Sequence, residues 1–378
     1  MPIILIGNYM PDRQESMERF TQMLSNGFKK SGIKTEIWRP TVLFGKFSKS
    51  TTTGLGKWLG YIDKWIVFPI QLRIRSKKRA ASNLRFHICD HSNAPYLNHL
   101  PANRTCITCH DVLAIRGALG YADAYCPASG PGKLLQKWIL KNLRQANKIA
   151  FVSKTTLKQF QELDSDSSTT NKRRKVIYNA FNDKFFPSEG KISEKILNKT
   201  GLKLHIPFLL HVGSDLPRKN RRLLIDMVYS LGARWKGSIC FAGQPADQYL
   251  LAHAKSLGLG ERIVSVARPE HDTLVALYSR CDAFIFPSFS EGFGWPVIEA
   301  QACGAPVIAS NIEPMPEVSG AAALHADPAI PEDFADAFLS LKDSITRNEI
   351  IKKGIQNSNR FDSRSMIKAY LNLHGIQS

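Results

Sequence analysis

A nine-residue stretch, Glu291 to Glu299 (E-G-F-G-W-P-V-I-E), constrains this chain more than any other. It follows an apolar run, Ala283, Phe284, Ile285 and Phe286, closed by Pro287 and Ser288, a pattern that predicts a buried strand ending in a turn. Gly292 and Gly294 permit a tight turn and keep side chains out of a ligand's path. Pro296 suits the first position of a helix running through Val297, Ile298 and Ala300 to a stop at Gly304. A strand that passes through a glycine loop into a helix turns backbone N–H groups and the positive end of the helix dipole toward an anion. The two carboxylates flanking the loop are poor partners for phosphate and good acceptors for hydroxyls. The stretch therefore points to a ligand with a diphosphate in its middle and polyol hydroxyls at both ends, which is the chemistry of a nucleotide sugar. The alternative is an ordinary strand-turn-helix with two exposed glutamates.

The rest of the chain supplies the frame. Its 378 residues suffice for two domains, each with its own core. No window approaches 18 uncharged apolar residues, so no transmembrane helix is expected. Met1 to Leu5 lead straight into an expected strand without a secretory leader, and seven scattered cysteines suit a reducing cytoplasm better than a disulfide framework. The net charge of +19 is lopsided. Residues 1–185 hold 30 Lys/Arg against 12 Asp/Glu, and the remainder 21 against 20. The first half must either carry its charge at a cost in self-repulsion or meet something acidic: nucleic acid, an anionic membrane surface or a phosphorylated acceptor.

Apolar periodicity predicts strands at 3–7, 35–39, 86–89, 105–109 and 149–152, with helices at 15–30 and 133–145. A second alternation predicts strands at 208–212, 238–242, 262–266, 283–286 and 307–309, with helices at 222–231, 248–257 and 271–279. Strands alternating with helices imply parallel, helix-covered sheets. Residues 187–206 read as a linker. Gly7 and Asn8 fall in the loop after the first strand, the place of a ligand loop. Residues 46–85 carry ten Lys/Arg and one acid, with Trp58 and Trp65 ahead of the run Arg73, Arg75, Lys77, Lys78 and Arg79. That combination fits either an interfacial helix on an anionic membrane or a core helix with a solvated charged end. Residues 163–171 are polar, read as a surface loop, and lead into Lys172-Arg173-Arg174-Lys175.

Three longer motifs then become specific: H-V-G-S-D-L-P-R-K-N at 211–220, the segment 278–310 that includes the central stretch, and P-E-V-S-G-A-A-A-L-H-A-D-P at 316–328. With these the chain resembles the retaining GT-B glycosyltransferases of family 4. The resemblance implies an α/β fold of two Rossmann-like domains facing across a cleft. An acceptor-binding domain would span 1–186 and a nucleotide-sugar-binding domain 207–358, with a C-terminal helix in 359–378 returning to the first. It implies that Glu291 bonds the donor sugar, Glu299 the ribose, and Arg218 and Lys219 the diphosphate. Backbone groups at Gly292, Phe293 and Gly294 would meet a phosphate, Gly7 and Gly213 would border the donor, and His110 would lie near the sugar. It implies a hexose moved from a GDP- or UDP-sugar to a glycan or lipid-linked acceptor at the inner face of a membrane, with no metal and no cofactor. Two positions depart from the family pattern: Ser214 stands where many members have Arg, and Gly7-Asn8 where many have two glycines.

Other readings compete. Cys106-Ile107-Thr108-Cys109-His110 matches a haem-attachment pattern but falls on an expected strand, where residues three apart point to opposite faces. A zinc site built from Cys106, Cys109 and His91 meets the same objection. Asp164-Ser165-Asp166 lacks the preceding strand that a metal-binding Asp-x-Asp needs. Asp90, His91 and Asp111 either line an acceptor site or are polar residues at strand ends. Nucleic-acid binding through the basic runs has no supporting motif, so nucleic acid is not expected as a partner. A non-catalytic nucleotide-sugar sensor would share the fold.

Overall fold

The computed structural model describes residues 1–79, 83–164 and 173–377. Residues 165–172, which include most of the expected polar loop, lie outside the described residues. The chain forms two units. The first comprises Met1–Gly120, Pro127–Asn182 and Ser363–Ser378; the second comprises Tyr121–Cys126 and Asp183–Asp362.

The first unit is built on a parallel sheet of β1 (Ile3–Ile6), β2 (Thr35–Trp38), β3 (Arg85–Ile88), β4 (Thr105–Cys109), β5 (Lys148–Phe151) and β6 (Arg173–Val176), in the order β2-β1-β3-β4-β5-β6. The order reverses direction between β1 and β3. The loops after those two strands lie at this switch point, at the carboxyl end of the sheet. In the basic run, Arg173, Arg174 and Lys175 are three of the four residues of edge strand β6, and Arg174 pairs with the buried Asp164. Charges on a sheet edge deter pairing with other chains.

Helix Ser363–His374 packs on this unit through Met366, Ile367, Tyr370, Leu371, Leu373 and His374, all buried. A buried polar chain joins it to the sheet. Tyr370 OH lies 3.1 Å from Thr108 Oγ1, which lies 2.9 Å from His87 Nε2. His87 Nδ1 lies 3.2 Å from His374 Nε2, whose Nδ1 lies 3.5 Å from Cys106 Sγ. Burial lowers the His87 pKa to about 3 and that of His374 well below the usual value, so both rings are neutral.

The second unit's sheet holds β7 (Phe208–Gly213), β8 (Ser238–Gly243), β9 (Ile263–Ala267), β10 (Ala283–Phe286), β11 (Val307–Ser310) and β12 (Leu324–Ala326), all parallel, in the order β12-β11-β10-β7-β8-β9. This is the doubly wound order of dinucleotide-binding folds, and its switch point lies between β7 and β10. Residues 187–206 are not a linker. They contain helix Gly190–Leu197, which packs on helix His271–Arg280, and Leu197 and Leu202 sit in the second unit's core. No helix among the described residues is long and apolar enough to cross a membrane.

Candidate active site

The central stretch folds as its residue types dictate. Strand β10 is buried at all four positions, and helix Trp295–Ala302 starts after Gly294, whose φ of +101° only glycine adopts freely. The helix closes on Gly304 (φ +77°). The N–H of Gly304 bonds Gln301 O and that of Ala305 bonds Ala300 O, a paired C-terminal cap.

The loops after β7 and β10 meet at the switch point and are stitched together. The Phe289 N–H donates to Arg218 O at 2.8 Å, and Asn220 Nδ2 donates to Pro287 O and Pro328 O. Between them sits a buried ionic cluster. Glu291 Oε2 lies 2.7 Å from Arg218 Nη1, and Glu291 Oε1 lies 2.6 Å from Lys219 Nζ. Arg218 Nη1 also donates to Ser290 O at 2.9 Å, and the Lys219 ammonium sits 4.8 Å over the Phe286 ring. Burial alone would raise the Glu291 carboxyl, but Lys219 and Arg218 outweigh it and bring the pKa down to about 2. Glu291 and Glu299 are 7 % and 6 % exposed, which overturns the alternative of two solvent-facing glutamates. Glu299 Oε2 accepts from Tyr278 OH at 2.9 Å.

Gly213 ends β7 opposite Gly243 at the end of β8, and a Cβ on Gly243 would stand 2.9 Å from Gly213 O. That close approach fixes glycine at 243, a requirement invisible until the strands are paired. Sequence reasoning also missed His211, buried against Phe286 with Nδ1 3.1 Å from Ile285 O and its other ring nitrogen near Gly213. A hollow of about 500 Å³ opens after β9, lined by Ser265, Arg268, Pro269 and Glu270 among others.

The first unit's switch point carries a polar cluster of its own. Asn8 Nδ2 donates to Asp90 Oδ2 at 2.6 Å and to Gln14; Asn93 Nδ2 donates to Asn8 Oδ1 at 2.8 Å. Ser92 donates its N–H and its hydroxyl to Asp90, and His91 Nδ1 lies 3.3 Å from Asp90 Oδ1. Asp90 is thus the buried hub that orients Asn8 and His91. Burial raises its pKa, but His91 and these hydrogen bonds outweigh that and hold it ionised. Gly7 follows β1 against the Arg39 side chain. His110 lies 2.9 Å from Cys89 O through Nε2 and packs edge-on against Phe20. Burial lowers its pKa despite the opposing pull of Asp90, so the ring is neutral and Nε2 carries the hydrogen. Asp111 accepts from the N–H of Leu113, the first residue of helix Leu113–Leu119, at 3.0 Å.

The 46–85 region has a buried side and an exposed side. Helices Gly54–Ile62 and Phe68–Lys78 join through one wider turn, Asp63–Val67, and bury Asp63, Phe68 and Leu72. Trp65 belongs to the core side, against Tyr96 and Trp138, and so corrects its assignment to a membrane face. Trp58 is exposed. Arg75 and Arg79 lie over the Trp38 ring, and Arg79 pairs with Glu36 at 2.8 Å. Among the described residues, one group of potential metal ligands comes together: His87, Cys106 and His374. These are the members of the hydrogen-bonded chain that ties helix Ser363–His374 to the sheet, remote in sequence from the motifs.

Two parallel doubly wound sheets with a cationic cluster at a switch point define the GT-B class of fold. Residues 192–357 match the family described as glycosyl transferases group 1, and the chain carries that family's domain. The O-antigen chain mannosyltransferase B of Escherichia coli is 30% identical over 175 residues, covering 45% of this chain and 46% of that protein. The D-inositol 3-phosphate glycosyltransferase of Corynebacterium glutamicum (strain R) is 30% identical over 188 residues, covering 47% and 45%. The matches thus span less than half the length of these relatives. Among solved structures, sucrose-phosphate synthase from Thermosynechococcus elongatus superposes with a TM-score of 0.76 at 18% identity, covering 99% of this chain and 98% of that one. WaaG, a glycosyltransferase involved in lipopolysaccharide biosynthesis, gives 0.71 at 15% identity, covering 98% and 99%.

Proposed function

We propose that this chain is a retaining hexosyltransferase that moves a hexose from a nucleoside diphosphate to a glycan or lipid-linked acceptor. The observation that carries the reading is the buried Arg218–Glu291–Lys219 cluster at the switch point of a group 1 domain. Breaking the bond between the anomeric carbon and the diphosphate oxygen leaves negative charge on the departing group. Arg offers that group a two-pronged contact and Lys a compact charge, both prepositioned and withdrawn from water, where they stabilise the transition state most. The two cations supply the neutralisation for which other enzymes use a metal. The acceptor hydroxyl attacks on the face that the diphosphate leaves, and its proton passes to a departing phosphate oxygen. This path needs no protein base and preserves the anomeric configuration. His110, neutral, acts through a ring nitrogen at the sugar, and Glu299 binds ribose hydroxyls.

The named activity of the Escherichia coli relative supports mannose as the first hexose to test, and Anabaena HepE, a structural neighbour solved with UDP and glucose, keeps UDP-hexoses in the panel. A metal-free thermal-shift panel of nucleotide sugars decides. One donor raises the melting temperature, by the equivalent of about 2.7 kcal/mol at a hundred times its Kd. A flat response across the panel rejects the proposal.

The acceptor side faces an anionic membrane. Ile66 on the wider turn and Ile70 and Ile74 on the helix after it recur every fourth residue, each about half exposed, and that helix buries Phe68 and Leu72. Trp58 and Leu55 extend the exposed apolar surface, and Lys57, Arg73, Lys77 and Lys78 border it. Apolar side chains beside a basic border suit the headgroup region of an anionic leaflet, each Lys or Arg adding about 1 kcal/mol. Replacing Arg73, Lys77 and Lys78 together by Gln should lower the fraction sedimenting with vesicles of phosphatidylglycerol and phosphatidylcholine at least tenfold. Equal sedimentation of variant and wild type ends the membrane assignment.

A further inference from the structure

Glu291 has two claims on it that cannot be met at once. As a sugar ligand it must turn its oxygens to hydroxyls, yet both oxygens lie against the two cations that the diphosphate requires. The cluster lies almost wholly out of water: Lys219 is 8 % exposed and Glu291 7 %. A buried Lys219 ammonium beside the partly buried Arg218 would be unstable without a counter-anion, and the carboxylate supplies one. A diphosphate entering beside an ion-paired Glu291 would set anion against anion with little water to screen them.

The geometry points to an exchange: Glu291 is a built-in stand-in for the diphosphate, holding Arg218 and Lys219 until a donor arrives and then trading the cations for the donor's sugar hydroxyls. The inference rests on the reading of this cluster as the donor site. The local chain suits the swap. Arg218 stays anchored through Ser290 O, and the Phe289 N–H stays on Arg218 O, while Gly292 and Gly294 follow Glu291 directly. The displaced carboxylate can therefore reorient without unpicking the stitched loops.

The exchange has a functional consequence. A nucleotide sugar displaces Glu291 and offers it new hydroxyl partners. A bare nucleoside diphosphate displaces it and offers none, so the carboxylate competes to return. Glu291 thereby favours donor over spent product and helps to expel the product once the sugar has left. A carboxylate that only binds sugar would have no effect on the affinity of the sugar-free diphosphate.

Calorimetric titration of the full chain with GDP and UDP, and with the nucleotide sugar that the thermal-shift panel selects, tests this. Glu291→Gln keeps the shape and removes the charge. It should bind the matching nucleoside diphosphate at least tenfold more tightly than wild type, about 1.4 kcal/mol. It should also lose the preference for donor over nucleoside diphosphate, and transfer should fall. Glu291→Asp, which keeps the charge, should retain a nucleoside diphosphate affinity nearer the wild-type value. If Glu291→Gln is unfolded without nucleotide, the same comparison is read from melting temperature, with a larger rise per concentration of nucleoside diphosphate than in wild type. Equal or weaker nucleoside diphosphate binding by the Gln variant overturns the exchange and leaves the donor site standing. Failure of folded wild type to bind any nucleotide or nucleotide sugar overturns both.

Discussion

Lys219→Ala reduces glycosyl transfer at least about a thousandfold, a loss of roughly 4 kcal/mol of transition-state stabilisation, while the protein stays folded. The size follows from where the ammonium sits. It is buried over Phe286, 2.6 Å from Glu291, at the switch point where the loops after β7 and β10 converge. A charge in such a place needs no solvent rearrangement when the diphosphate departs, so its removal is felt in kcat more than in KM. Folding survives for two reasons. Arg218 remains to pair with Glu291, and the apolar clusters of the second unit are built from other residues. Lys219→Arg should recover little, because the longer planar guanidinium does not fit a place shaped by Gly213, Phe286 and a compact ammonium. Steady-state transfer assays beside circular-dichroism melts check the claim, and wild-type turnover by Lys219→Ala removes this residue from the site.

What the sequence discloses about that site is what local chemistry decides. The strand, the two glycines, the proline and the helical stop at Gly304 are each fixed by neighbours a few residues away, so the strand-turn-helix was legible from letters alone. The burial of Glu291 was not, because it depends on Arg218 and Lys219, more than 70 positions earlier, which come close only when β7 and β10 lie side by side. Asp90 had the same ambiguity. Its role as hub appears once Asn8 from one loop and Ser92 from another converge on it. Strand β6 escaped notice because three charges in four residues lack an apolar face, and an edge strand does not need one. Residues 187–206 read as a linker, yet Leu197 and Leu202 reach the core once helix Gly190–Leu197 packs on helix His271–Arg280.

Deleting residues 363–378 should unfold the first unit and leave the second standing. Helix Ser363–His374 buries six side chains there. At about 1.5–3 kcal/mol for each apolar side chain, they contribute roughly 10 kcal/mol, as much as the whole net stability of an ordinary domain. Removal also strips the His87 ring of His374 and the Thr108 hydroxyl of Tyr370, leaving buried polar groups without their partners. Calorimetry of the truncated chain should therefore retain the second unit's transition and lose the first unit's. A point variant reaches the same helix without shortening the chain. A Cβ at Gly27 would lie 2.2 Å from Ile367 Cδ1, so Gly27→Val forces the helix away from its seat and should cost about 3 kcal/mol or more. A first-unit transition that survives both changes would mean that the sheet does not depend on this helix. The neutral His87–His374 contact would then be incidental packing and no part of what holds the unit together.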